Sequence, residues 1–233
     1  LNPDMNTSHD VVLCYGGIAV ESFIELPYQP KPGIAHIICG QSNRIGGGSA
    51  NVAEWLGSWG VRTRLTGYAI GMDRQGERLV RWLKAYPSID LSYLQQLREI
   101  DTLVSLTIPF SDGNKYLLCI GYEDVTLTPP TQDLLNGVGI LEIAFYNRQE
   151  RGNTESMEMA RLAATQGISI VAMDLLDPQE DIVGSTVVII NSAASILEQF
   201  PDVDPVIHGK GLQAVSHGVV IITNGSEVTH ALD

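Results

Sequence analysis

With 233 residues, 44% of them apolar, the chain can bury one sizeable core, and a single domain is expected. A formal charge of −13, with 27 acidic against 14 basic residues and no run of Lys or Arg, argues against a polyanionic partner, because nucleic-acid binding rests on clustered positive charge. No apolar run reaches the roughly 18 residues of a membrane span. No signal peptide is apparent, although the chain starts at Leu1 and a further N-terminal piece is compatible with it, so a cytoplasmic protein is expected. Cys14, Cys39 and Cys119 each lie in an apolar stretch without CxxC or Cys/His spacing, and read as buried free thiols rather than disulfides or a metal site.

Residues 1–10 are polar and expected to be loose. Residues 11–20 form a mostly apolar run suited to a buried strand, and Phe23, Ile24 and Leu26 carry it on to Pro27. Pro27-Tyr-Gln-Pro-Lys-Pro-Gly33 is a turn by composition, and residues 34–39 read as a second short strand. Gly46-Gly47-Gly48-Ser49-Ala50-Asn51 follows, leaving the backbone bare of Cβ atoms where a helix begins. Val52, Trp55, Leu56 and Trp59 recur at i, i+3, i+4 and i+7 as one apolar face, and Ser49 is placed to cap the first turn. Such a start can hold a ligand: bare backbone allows close approach, N–H groups point outward, and Asn51 offers both a donor and an acceptor. The plainer reading is a glycine-rich turn entering a core helix.

Residues 63–69 read as a strand. Asp73 reads as the N-cap of the next helix, whose apolar face is Leu79, Val80, Leu83 and Tyr86 and which Pro87 ends. Strands at 102–110 and 116–120 flank a hairpin signal with Asp112-Gly113 at its tip. From residue 138 the rhythm becomes strand–helix alternation. A strand at 138–146 precedes a helix marked by Met157, Ala160 and Ala164 that stops at Gly167. Further strands lie at 168–173, 186–190 and 219–223, with short helical segments around Ile196-Leu197 and Leu212 to Val215. Continuous Val and Ile strands separated by helices imply an α/β fold with a mainly parallel, doubly covered sheet. Ligands of such sheets sit beyond the carboxyl ends of the strands, which singles out Asp174, Asn191, Thr223, Asn224 and Gly225. Glu21, just after the first apolar run, is either a solvated strand end or a carboxylate able to take charge-assisted bonds from ligand hydroxyls.

Gly46-Gly47-x-x-x-Asn51-x-Ala53, with Gly60-Val61 and Gly71-Met72-Asp73-x-x-Gly76 after it, resembles the first signature of the ribokinase-like carbohydrate kinases, the pfkB family. Val11 to Glu21 is similar to that family's first strand, with Glu21 where the family carries a substrate-binding aspartate. The resemblance implies a three-layer α/β/α fold with a mainly parallel central sheet and a small β lid from about residues 22–40 and 102–121. It makes residues 1–233 one α/β domain, incomplete at its C-terminal end. It also implies ATP- and Mg2+-dependent phosphoryl transfer to a hydroxyl of a sugar or related polyol. Glu21, Gly46, Gly47 and Asn51 are then the substrate-binding residues, and Asn191, Thr223 and Gly225 the nucleotide-binding ones. No metal ligand is assigned. The lid strands further suggest a homodimer.

The chain departs from the family's pattern in places. Asn191 resembles the start of an Asn-x-x-Glu motif, but its fourth position is Ala194; the region of Asp174 resembles Asp-x-Asn-x-Arg, but holds Leu176 and Pro178. A helix cap for Asn191 and a turn for Asn224-Gly225 stay open as plainer roles. The family's second signature, Gly-Ala-Gly-Asp, which supplies the anion hole and the catalytic base, is expected C-terminal to Asp233. No catalytic residue is therefore assigned, and this chain by itself is expected to be inactive. The alternatives are a nucleoside kinase or a non-catalytic sugar-binding or regulatory protein on the same fold. A dinucleotide-binding reading fits poorly, since Gly16-Gly17-Ile-Ala-Val-Glu21 lacks GxGxxG spacing.

Overall fold

The computed structural model describes residues 9–110, 115–122, 127–145, 153–225 and 227–233. At its centre β1 (Val11–Gly16) runs parallel to β4 (Thr63–Gly67) on one side and β10 (Val138–Ala144) on the other. Beyond β10 lie β11 (Ser169–Met173), β12 (Thr186–Ser192) and β13 (Val219–Thr223), all parallel. The edges of this eight-stranded sheet are β6 (Ile89–Asp90), parallel to β4, and β14 (His230–Leu232), antiparallel to β13. The sequence reading placed no strand after Thr223; β14 is only His-Ala-Leu and largely exposed, too short an apolar run to announce it. Central strands are buried on both faces: Leu13, Cys14 and Tyr15 are all inaccessible, as are Leu141 and Ile143. That double burial is why these strands appear in the sequence as unbroken apolar runs.

Helices α1 (Gly48–Ser58) and α2 (Arg74–Leu83) follow β3 and β5, defined below. Helices α3 (Asn153–Thr165), α4 (Ala193–Gln199) and α5 (Pro205–Ser216) belong to the alternating half. The face that α1 presents to the sheet is not the expected one. Ser49, Ala50 and Ala53 are its buried residues, while Trp55 and Trp59 are 64% and 70% exposed. Small side chains let α1 lie close upon β1, β4 and β10, and the large indoles go outward. Helix α2 buries the expected Leu79 and Leu83 and packs Val80 against the core, but it ends at Leu83, short of Pro87, and Tyr86 packs from the turn beyond it.

The second sheet has the order β3-β2-β8-β9, from β2 (Ala19–Glu25), β3 (Gly40–Gly46), β8 (Val104–Pro109) and β9 (Lys115–Ile120). A two-stranded ladder of β5 (Ile70–Gly71) and β7 (Gln96–Leu97) completes the β structure. Two boundaries differ from the sequence reading. The single run at 11–20 divides at Gly17-Ile18, its first part joining the main sheet and its second the small one. Residues 34–39 are not a strand; Ile34, Ile37 and Ile38 are exposed, and the pairing with β2 starts only at Gly40. The strand there is the polar Gly-Gln-Ser-Asn-Arg-Ile-Gly, whose place is set by its register on β2, Ala19 opposite Gly46 and Glu21 opposite Arg44. β8 and β9 pair as an antiparallel hairpin; its expected tip at Asp112-Gly113 lies outside the described residues, as does Tyr146 at the expected end of β10. Cys14 is buried, but Cys39 and Cys119 are exposed, contrary to the expectation for all three; all are free thiols.

Candidate substrate site

The small sheet meets the main one where β3 turns into α1. Gly47 holds φ 86° and ψ 140°, a backbone region closed to L side chains. A Cβ on Gly47 would lie 2.4 Å from the Gly17 carbonyl oxygen, and one on Gly46 2.7 Å from the Cβ of Glu21. The turn is tied down by Ala50 N–H donating to Gly17 O (3.1 Å) and Asn51 N–H donating to Gly47 O (2.9 Å). Ser49 does not cap the helix. The N-cap is Gly47, without a side-chain bond, and the Ser49 hydroxyl points into the core instead. Asn51 stands half-buried in the first turn of α1.

Glu21 is the third residue of β2, in the small sheet and not at the end of β1. Its carboxylate is the best-held charge of the region. Oε2 accepts from Nε and Nη2 of Arg44 at 3.1 and 3.0 Å, and Oε1 accepts from the Thr107 hydroxyl at 2.8 Å. Glu21 is 12% exposed and Arg44 61%, with the guanidinium 4.0 Å above the Phe23 ring. A carboxylate offers about four acceptor positions. Three are taken here, so the free one lies on Oε1, and Glu21 can accept a single further donor without disturbing its anchors. Arg44 and Thr107 were not singled out from sequence; only the pairing of β3 and β8 with β2 brings them to Glu21. Behind them, Tyr68 is buried edge-on to Tyr122 with centroids 6.4 Å apart, and Tyr122 shares a 3.4 Å contact with the Ser105 hydroxyl. Burial holds the Tyr68 phenol well above its ordinary range, which keeps it neutral.

Asn191 and Thr223 come together at the far end of the main sheet, on neighbouring strands β12 and β13. The Asn191 side chain is buried and its Nδ2 donates to Leu175 O at 2.9 Å, while its Oδ1 has no partner. Thr223 Oγ1 donates to Asn191 O at 3.4 Å. The cap of α4 is Ser192, not Asn191, its hydroxyl accepting from Ser195 N–H at 2.9 Å. Gly225 has φ 57° in an exposed turn closed by Glu227 N–H to Asn224 O at 2.9 Å. Between this end and the glycine turn, beyond β10 and β11, opens a cavity of about 120 Å³ bordered by Phe145, Asp174, Asp177 and Glu180. Asp174 there adopts φ 56°. β1 and β12 are three strands apart in the sheet, roughly 14 Å at the usual spacing. The glycine turn beside β1 and the Asn191–Thr223 pair are therefore not in contact, and Glu21 stands on β2 of the small sheet.

Neither a protein-family model nor a curated protein matches the chain. Solved structures do. A ribokinase from Arabidopsis thaliana, complexed with ribose and ATP, superposes with a TM-score of 0.71 at 15% identity, over 97% of this chain and 75% of that one. The fold is that of the ribokinase-like kinases. The fructokinase of Halothermothrix orenii matches with a TM-score of 0.75 at 18% identity, over 95% of this chain and 82% of its own. A nucleoside kinase of Methanocaldococcus jannaschii, described as an archaeal member of the ribokinase family, matches at 0.65 and 17%, covering 96% and 73%. In the ribokinase-like frame the eight-stranded sheet is the mostly parallel central sheet and the β3-β2-β8-β9 sheet is the smaller one. Among the described residues no helix is long and apolar enough to cross a membrane.

Proposed function

We propose that this chain is a pfkB-type carbohydrate kinase subunit that binds a sugar or nucleoside between the small sheet and the glycine turn, with ATP along the β12–β13 end. The observation that carries the reading is the Glu21 carboxylate, fixed by Arg44 and Thr107 beside the bare backbone of Gly46 and Gly47. In this reading the free position on Oε1 accepts one substrate hydroxyl. Asn51 gives and takes a second pair of bonds, and the glycines let the sugar lie against backbone. Phosphoryl transfer depends chiefly on positioning and electrostatic stabilisation, and these residues supply the acceptor's positioning.

No metal ligand is assigned: among the described residues no three His, Cys, Asp or Glu converge, and Ala194 stands where the resemblance asks for a carboxylate, so magnesium in this reading would be held chiefly by the nucleotide's phosphates and water. One observation favours a non-catalytic, ligand-binding protein as the second reading. Asn191, the resemblance's phosphate-side residue, has its amide nitrogen committed to Leu175. A homodimer through the small sheet is supported by β9, all six of whose residues are exposed, Tyr116, Leu117, Leu118 and Ile120 among them.

Calorimetric titration with ribose, fructose and inosine, each with and without ATP, tests the proposal. At least one should bind, and Asn51→Ala should weaken it by about 5- to 150-fold, the equivalent of 1–3 kcal/mol for a buried polar partner left unpaired. ATP that tightens sugar binding favours the kinase, and indifference to ATP the second reading. If no pentose, hexose or nucleoside of a wider panel binds, the site assignment fails.

A further inference from the structure

Glu142 interrupts the apolar strand Val-Gly-Ile-Leu-Glu-Ile-Ala and is 4% exposed. Neither of its carboxyl oxygens makes a hydrogen bond of ordinary geometry, and the Ser49 hydroxyl is likewise buried without a partner. The groups facing Glu142 are the Cys14 thiol from β1, the Ser49 hydroxyl from the first turn of α1 and, in register on β11, the aliphatic Val171. Cys14 is the titratable one among these, and among the described residues no basic side chain stands against the carboxyl. An ionised carboxylate buried without a cation is costly. A neutral one can donate its O–H to Ser49 Oγ and accept the Cys14 S–H, which would give the acid, the Ser49 oxygen and the thiol one partner each.

We propose that Glu142 is a positioning residue for the glycine turn: as the neutral acid it links Cys14 and Ser49, and through Ser49 seats the first turn of α1 on the sheet. Its burial supports this independently, pushing the carboxyl up to about 8, with Ser49 and Cys14 pulling the other way. Burial, with the neighbouring Glu142, likewise raises Cys14, so the thiol stays protonated as donor. The link matters to a ligand because Ser49 lies between Gly47 and Asn51; that part rests on the proposed binding site, whereas the link itself does not.

Two measurements on the full chain decide the matter. Infrared difference spectra from about pH 5 to pH 10 should show the carbonyl stretch of a buried neutral carboxyl at pH 7, lost around pH 8 and absent in Glu142→Gln. Amide hydrogen exchange at Ala50 and Asn51, corrected for intrinsic rates, should rise at least about threefold across that transition in the parent and stay level in Glu142→Gln. Should that variant fail to fold, Ser49→Ala serves, since it keeps the acid but cuts the link and should also level the exchange. Absence of the neutral band at pH 7, or equal exchange profiles in parent and variant, overturns the proposal. Ribose, fructose or inosine affinity that falls above pH 8 in the parent alone extends it to the ligand. If none of these ligands binds while both measurements hold, the binding site is wrong and the link stands.

Discussion

The two ends of the candidate site use their polar groups differently. At the small-sheet end, Glu21 is held by residues from two other strands, Arg44 and Thr107, and still keeps an acceptor position open. At the β12 end the polar side chains are spent on backbone groups: Asn191 donates to the Leu175 carbonyl, Thr223 to the Asn191 carbonyl, and Ser192 caps α4. A side chain held by other side chains with an acceptor position to spare is preorganised for a ligand, whereas one spent on backbone groups stabilises the fold. In the proposed reading the small-sheet end is the binding half of this chain's own residues.

The largest effect is expected where that half is most constrained. Gly47→Val places a β-branched residue at φ 86° and drives its Cβ against Gly17, so it should destabilise the fold by about 3 kcal/mol or more rather than merely block the site. Urea unfolding checks this; a variant as stable as the parent would mean that the turn is not the rigid element described. Next, Glu21→Ala and Asn191→Ala should separate the two ends. Glu21→Ala should cut ribose, fructose or inosine affinity by tenfold or more. Asn191→Ala should leave affinity for these sugars nearly unchanged but cost about 1–3 kcal/mol of stability, through the lost bond to the Leu175 carbonyl. The reverse pattern would break the comparison.

Smallest is the effect of Asp73, which lies outside both ends and tests the frame between them. Its carboxylate accepts from Gly76 N–H at 2.7 Å, from Thr102 N–H at 2.9 Å and from the Thr102 hydroxyl at 2.8 Å, capping α2 and fastening it to the start of β8. Burial pushes this carboxyl up, but those bonds outweigh it and hold it below its ordinary value. The stability it supplies is therefore present above about pH 4 and lost as acid protonates the native state. Glu142 has the opposite sign: its contribution is complete at acid pH and declines from its ordinary value of 4.5 to about 8. Asp73→Ala should cost roughly 1–2 kcal/mol at neutral and alkaline pH alike and flatten the acid limb of a melting-temperature profile, leaving the shape of the alkaline side unchanged.

Much of the fold was legible because the physics was local or repetitive. β11, β12 and β13 are apolar runs between helical segments, and Asp73 three residues before Gly76 is a cap by spacing alone. What stayed hidden depends on tertiary pairing. β3 is polar and gains strand geometry only from its register on β2, while the more apolar residues 34–39 find no partner strand. Val52, Trp55, Leu56 and Trp59 follow helical periodicity, yet close contact with three strands selects Ser49, Ala50 and Ala53 for the interface. The anchors of Glu21 are 23 and 86 positions away in the chain, beyond any motif. Glu142 did leave a local trace, a single charge in a buried strand, and that trace was passed over.

The outward turn of the indoles on α1 has an optical consequence. Two of the chain's three tryptophans, Trp55 and Trp59, stand in solvent on one helix with ring centroids 6.2 Å apart, and that helix begins at the glycine turn. The third, Trp82 on α2, is half-buried with the Arg78 guanidinium 5.9 Å from its ring. Native emission is thus dominated by water-relaxed, red-shifted fluorophores open to an aqueous quencher such as iodide. Any tilt of α1 as a ligand seats against its first turn changes their quenching, so the protein carries its own unlabelled reporter of the glycine turn.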